Sequence, residues 1–284
     1  MIGTPLARPT TRLLWAAAAL AMGLTACSSN SESGSSAVSA TQPGLERAAT
    51  RRVWRPRPGV SWQIQLQGRV DARVDADVFD IDGADTPASL VRRLHNRGRR
   101  VICYFSAGTY ESFRRDRRLI PPGVRGKRVD GFPDERWLDV RKIETLRPVI
   151  ESRLATCRRK GFDAVDFDNV DGYANDTGFR LLAANQLRYN HFLAAAAHRR
   201  GMAAGLKNDL GQIPRLVRDF EFQINEQCFE FNECRKLLPF IDRGKAVFHI
   251  EYARRPARFC PKARRYRFSS VFKRLDLRAF RVAC

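Results

Sequence analysis

RKIETLRPVIESRLATCRRKGFDAVDFD, residues 141–168, carries two different periodicities on either side of a single glycine. Before it, Ile143, Leu146, Ile150 and Leu154 recur at the spacing of one helix face, which predicts a helix over 141–160. Gly161 follows where a helix needs a residue that can turn left-handed, so it is read as the C′ glycine. After it, 162–168 is strand-like, and side chains alternating at period two put Ala164, Asp166 and Asp168 on one face. A helix that feeds a strand through so short a link is the repeating unit of a parallel sheet with helical crossovers.

The unit recurs outward in both directions. Strands are predicted at 61–68, 74–82, 100–106, 162–168, 202–208, 220–226, 246–252 and 265–272. Helices are predicted at 86–96, with Thr86 as N-cap, and at 178–200, stopped at Gly201. Eight parallel strands favour closure over an open sheet, so the expected fold is α/β, a (β/α)8 TIM barrel in one catalytic domain. The 284 residues suffice, since such barrels take roughly 250. Residues 107–139, rich in Pro, Gly and Arg, are expected to fold over one end of the barrel as a long loop.

The first residues differ in kind. Arg8 and Arg12 precede the apolar run 13–24, which is shorter than the ~20 residues that span a bilayer, so 1–26 reads as a secretory signal. The ending Leu24-Thr25-Ala26-Cys27 resembles a bacterial lipobox, in which Cys27 would be acylated and become the mature N-terminus. The Ser-rich stretch after it reads as a flexible linker up to residue 52, with the barrel at 53–284. The expected location is therefore outside the cytoplasm of a bacterium, on a lipid anchor at the cell membrane or extracellular.

Without Cys27 six cysteines remain, an even number that fits disulfides in an oxidising space. Cys228 and Cys234 are close in sequence, Cys260 with Cys284 would tie down the C-terminus, and Cys103 with Cys157 remain. No C-x2-C pair exists and only four histidines are present, so neither a zinc site nor any other metal or cofactor is expected. The net charge of +21 is spread along the folded region, mostly as Arg, which points to a basic solvated surface lying against anionic lipid or wall polymer rather than to specific nucleic-acid binding.

Barrel enzymes of this kind work at the C-terminal ends of their strands. Those ends carry Asp80 and Asp82, Ser106, Asp166 and Asp168, Lys207 to Asp209, Asn225 and Glu226, and Glu251 and Tyr252. A basic chain has thus gathered carboxylates at one rim. Asp168 and Glu226 share inward faces with Ala164 and Asp166, and with Phe222 and Ile224. Such a pair is what glycoside hydrolysis requires, one acid as nucleophile or base and the other as proton donor.

The run GFDAVDFDNVDGY at 161–173 resembles the signature of glycoside hydrolase family 114, the endo-α-1,4-polygalactosaminidases. VICYFSAGTY at 101–110, RWLDVR at 136–141, GLKND at 205–209 and NEQC at 225–228 match in the same order. The resemblance implies a secreted TIM barrel that cleaves α-1,4-linked galactosamine polymers internally without a cofactor. It places the catalytic pair on Asp168, as nucleophile of a retaining reaction, and on Glu226 as general acid/base. The sequence departs from the family pattern at Asp166, often Glu, and at Phe167, often Pro, which leaves Asp166 able to share or exchange roles with Asp168. Asp82, Tyr104, Asp166, Asn169, Asp171, Lys207, Asn208 and Tyr252 are expected to bind sugar or set pKa values, with ordinary barrel packing the competing role for the two tyrosines.

A polymer of free galactosamine is cationic and would be repelled at long range by the +21 chain, so an acetylated or neutral polysaccharide fits the overall charge better. Competing with the hydrolase are a catalytically silent polysaccharide- or wall-binding lipoprotein and a basic nucleic-acid-binding surface protein. Intact Asp168 and Glu226 disfavour the first, and the lack of an aromatic-interleaved basic patch disfavours the second.

Overall fold

A computed structural model describes residues 53–284, so the signal segment, Cys27 and the Ser-rich linker lie outside the described residues. The chain begins β1 (Trp62–Gln65), β2 (Val78–Asp82), α1 (Ala88–His95) and β3 (Arg100–Ser106). An excursion follows, with β4 (Thr109–Glu111), β5 (Arg125–Val129) and β6 (Phe132–Leu138). Alternation resumes with α2 (Ile143–Lys160), β7 (Ala164–Asp168), α3 (Ala183–His198), β8 (Ala203–Lys207), α4 (Ile213–Leu216) and β9 (Phe222–Glu226). The last elements are α5 (Leu238–Ile241), β10 (Val247–Glu251), α6 (Pro256–Arg265), β11 (Ser269–Phe272) and β12 (Val282–Ala283).

The main sheet runs β1-β2-β3-β7-β8-β9-β10-β11, all parallel, with β12 added antiparallel on β11. These are the eight strands expected of a (β/α)8 TIM barrel. Where β1 meets β11, no regular pairing joins the edges. The N–H groups of Leu66 and Gln67 donate to the Leu277 carbonyl at 3.0 and 3.4 Å, and Lys273 Nζ donates to Gln63 Oε1 at 3.2 Å.

Period-two alternation sorts the side chains into two cores. Ile64, Val78, Ile102, Ala164, Phe222 and Ile250 pack inside the barrel, whereas Phe79, Val101, Val165, Phe167 and Leu206 pack outward against the helices. Ala164 inside and Val165 outside fix Asp166 and Asp168 as inward. Gly205 is needed by the interior packing, because a Cβ there would stand 2.2 Å from the Phe222 ring. Gly161 closes α2 at φ 94°, as its position predicts.

Four local expectations need correction. Thr86 does not cap α1, whose N-cap is Pro87 with no side-chain bond, since proline fixes the extended entry instead. α3 starts at Ala183, five residues later than the sequence pattern suggested, after Asn185 Oδ1 accepts the Leu182 N–H at 2.9 Å. Residues 256–265 are α6, and β11 begins at Ser269; Phe259, Cys260 and Ala263 bury one face of a helix whose prolines and arginines mask its periodicity. The long loop at 107–139 contains a three-stranded antiparallel sheet in the order β4-β6-β5.

The structure has disulfides Cys103–Cys157, Cys228–Cys234 and Cys260–Cys284. The first joins β3 to α2 across 54 residues of sequence, so it restricts the unfolded chain most. Replacing Cys103 and Cys157 together with Ala should therefore lower the unfolding free energy by roughly 4 kcal/mol on loop-closure grounds. Urea denaturation monitored by tryptophan fluorescence measures this, and a loss below about 1 kcal/mol would contradict the entropic account.

Candidate active site

Three adjacent strands deliver the central groups. β7 ends in Asp168, β8 in Lys207 and β9 in Glu226. Lys207 Nζ lies 2.8 Å from Asp168 Oδ1 and 3.2 Å from Glu226 Oε2. The ammonium is almost wholly covered, while both carboxylates keep an edge to solvent at the barrel mouth. Tyr104 donates its hydroxyl to Asp168 Oδ2 at 2.7 Å, and the Asn169 N–H donates to Asp168 Oδ1 at 2.9 Å. Tyr252 donates to Glu226 Oε1. Asn208 holds the end of β9, with Oδ1 accepting the Glu226 N–H at 3.1 Å and Nδ2 3.5 Å from Glu226 Oε2. Both tyrosines therefore serve the acids directly rather than merely filling the barrel.

The electrostatics follow from that arrangement. Burial pushes the Asp168 carboxyl up, but the Lys207 charge and hydrogen bond, the Tyr104 hydroxyl and the Asn169 N–H outweigh it and hold Asp168 below the usual carboxylate range. Burial alone would discharge Lys207, yet Asp168, Glu226 and Asp166 keep its pKa well above the ordinary value. Asp168 is thus an ionised carboxylate, as a nucleophile must be.

One layer deeper, Asp80 of β2 and Asp166 of β7 are fully buried, and none of their carboxyl oxygens receives a hydrogen bond from any other side chain or N–H group. They face each other, and burial followed by the Asp166 charge raises Asp80 far above its normal range. Asp166 rises to about 7, first through burial and then, against the pull of Lys207, through the Asp168 charge. Asp171, after β7, rises to about 6 through burial and the Asp168 charge. Asp209 rises to about 8 through burial and Asp171, while accepting a 2.8 Å bond from Asn190 Nδ2.

Backbone conformation marks the same places. The residues directly after Asp168, Lys207 and Glu226 are Asn169, Asn208 and Gln227, and all are left-handed, at φ 61°, 48° and 61°. A non-glycine residue pays steric strain there, and such strain concentrates at functional sites. The turn lets Asn169 send its N–H back to Asp168 and its Nδ2 to Ser106 Oγ at 3.0 Å.

The excursion sheet adds residues that sequence reasoning missed. Glu135 of β6 accepts from Thr109 Oγ1 at 2.8 Å, and its carboxyl is raised by burial and, after the opposing Thr109 bond, by the charge of Asp168. Glu111 of β4 sits with Arg114 and Arg153, and burial lifts it to about 7. Glu135 was not visible because 125–138 shows no hydrophobic alternation, and Glu111 lies in a strand of only three residues. Asp80 did have a signal, since it shares the period-two face of Val78 and Asp82. Asp82 itself is committed elsewhere: Oδ2 binds Arg114 at 2.6 Å and Oδ1 accepts the N–H groups of Ala84 and Asp85. Among the described residues, metal-ligating atoms converge at Cys228, Cys234 and His249, where the two sulfurs are bonded to each other.

Lys207→Met should test the central ion group. Removing one partner of buried charges costs roughly 3–5 kcal/mol. The folded pKa of Asp168 lies below its unfolded value, so its contribution is present above about pH 4 and lost as pH falls through the folded value. Without Lys207 burial raises the Asp168 carboxyl instead, so the variant's deficit should be larger at about pH 7.5, where that unpaired charge adds to it, than at about pH 4.5. Equal deficits at both pH values, measured by chemical denaturation, would contradict the assignment.

Comparison with known proteins agrees with the geometry. The model of Glycoside-hydrolase family GH114 matches residues 44–284. The crystal structure of Aspergillus fumigatus Ega3 in complex with galactosamine is similar at 38% identity and a TM-score of 0.76, covering 81% of this chain and 97% of that one. The glycoside hydrolase domain of PelA from Pseudomonas aeruginosa shares the fold, with 14% identity, a TM-score of 0.64, and coverage of 80% of this chain and 99% of that one. No curated protein sequence matches the chain. With its TIM barrel, its family match over 44–284 and its facing carboxylates, this chain belongs to glycoside hydrolase family GH114 and is a glycosidase.

Proposed function

We propose that the protein cleaves α-1,4-linked galactosamine polymer internally, by a retaining mechanism with Asp168 as nucleophile and Glu226 as general acid/base. The observation that carries this reading is the Asp168–Lys207–Glu226 group. Its two short contacts keep Asp168 Oδ1 and Glu226 Oε2 no farther apart than about 6 Å, the sum of the distances to Lys207 Nζ. Retaining glycosidases hold their carboxyls roughly 5–5.5 Å apart, and inverting ones roughly 6.5–9.5 Å.

Asp168 attacks the anomeric carbon as the glycosidic C–O bond breaks, and Glu226 gives its proton to the departing oxygen. A water then loses a proton to Glu226 and attacks the same carbon, releasing Asp168. Lys207 balances whichever acid is ionised.

The substrate reading follows from the mouth rather than from the net charge. Asp168, Asp171 and Glu226 act on Lys207 and Glu135 acts on Asp168, so the local field attracts an amine-bearing sugar even in a chain of +21. Surface arginines beyond about 8–10 Å are screened at physiological salt. The similar Ega3 is in complex with galactosamine, which supports the same sugar here.

Asp168→Asn and Glu226→Gln should each cut reducing-end release from de-N-acetylated α-1,4-galactosamine polymer by about 100-fold or more. Asp166→Asn should keep more activity than Asp168→Asn, and Glu226→Gln should still be glycosylated by substrates with good leaving groups. Cleavage confined to fully acetylated polymer would overturn the substrate, and a β-configured first product would overturn retention.

We also propose export and lipid anchoring, supported by the Leu24-Thr25-Ala26-Cys27 ending of the apolar segment. Mass spectrometry of the mature protein should find an acylated Cys27 at its N-terminus; an unmodified start downstream would contradict this.

A further inference from the structure

Away from the catalytic mouth, the segment after β1 and helix α1 border an open cleft of about 600 Å³ lined by Arg69, Arg73, Arg93, Arg97, Asp71 and Ala279, among others, with the four arginines exposed. Its charge is uncompensated. Asp71 is held by Arg73, whose Nε and Nη2 donate to the two carboxyl oxygens at 3.0 and 3.2 Å. Arg97 spends one N–H on the Ala72 carbonyl at 2.8 Å and meets no carboxylate. Arg69 and Arg93 have no acidic partner among the described residues.

The cleft is built rather than accidental. Gln65 at the end of β1 is buried, and its Nε2 donates to the carbonyls of Gln67 and Arg69 at 3.2 and 2.9 Å while its Oε1 accepts the Asp71 N–H at 3.1 Å. One buried side chain thus fixes the segment that carries Arg69 and Asp71. Arg93 and Arg97, four residues apart on α1 and just beyond its end, project from the same side. A second cavity of about 280 Å³ shares Arg69 and Arg93 and continues to Asp82, one strand away from Tyr104.

We infer that this cleft binds the phosphate groups of an anionic polymer. Guanidinium forks donate two parallel hydrogen bonds each, and several of them around one concavity match a ligand that presents successive anionic oxygens. A membrane surface is flat, whereas these four exposed arginines line the walls of a concavity. A nucleic acid would leave its bases without a partner, because the lining offers no aromatic ring.

The test is isothermal titration of the purified full chain with a short inorganic polyphosphate. The chain should bind it, and Arg69→Ala/Arg93→Ala should weaken binding at least about tenfold, since hydrogen bonds to charged groups are worth that much. Arg158→Ala/Arg215→Ala removes the same charge from exposed positions elsewhere and should leave binding unchanged. Equal weakening in both variants would mean diffuse surface charge and overturn the proposal, as would no binding by the wild-type chain. Association with phosphatidylglycerol vesicles but not with polyphosphate would also overturn it, assigning the arginines to the membrane. Matching thermal unfolding of the two double variants separates a lost site from a lost fold.

Discussion

Lys207 is an ammonium group taken almost entirely out of water, and most of the site is arranged around that constraint. A buried amine keeps its proton only if carboxylates compensate the lost hydration. Asp168 and Glu226 do so from the neighbouring strands, and in return Lys207 lets the two acids sit close together without repelling each other. The ion group therefore couples folding to chemistry. The same contacts that make the barrel centre tolerable hold Asp168 charged at the mouth. The acid pair beneath, Asp80 and Asp166, lies under the ion group, with both carboxyls raised by burial and by neighbouring charge.

That arrangement reconciles an acidic mouth with a strongly basic chain. Most arginines lie on the outside of the helices and loops, where water screens them, Arg114 and Arg153 being buried among acids, whereas the carboxylates act at short range in a partly desolvated funnel. Net charge thus acts at the surface of the whole molecule, and the carboxylates act at short range within the mouth.

Much of this was legible before any coordinates. Alternation in 162–168 and 220–226 put Asp168 and Glu226 inward, and the barrel expected from eight strands is the one found. What escaped the sequence did so for physical reasons. β5 and β6 are stabilised by pairing with each other and with β4, not by a buried face, so their polar residues gave no periodic signal and Glu135 went unnoticed. α6 was hidden by prolines at its first position and within it. Asp82 looked like its neighbours along the rim, but its bonds to Arg114 and to two N–H groups depend on tertiary placement that no one-dimensional pattern carries.

The junction of β1 with β11 has a mechanical meaning. Every other neighbouring pair of parallel strands is joined by successive backbone bonds, whereas these two are tied through the Leu277 carbonyl and the side chains of Gln63 and Lys273. Fewer cooperative bonds mean a lower free energy of local opening. Native-state amide exchange along β1 should therefore be faster than along β7 to β9, and the barrel has a built-in zip. Thermal or mechanical stress would part the first strand from the eighth while the three strands that carry Asp168, Lys207 and Glu226, on the far side of the sheet order, stay together.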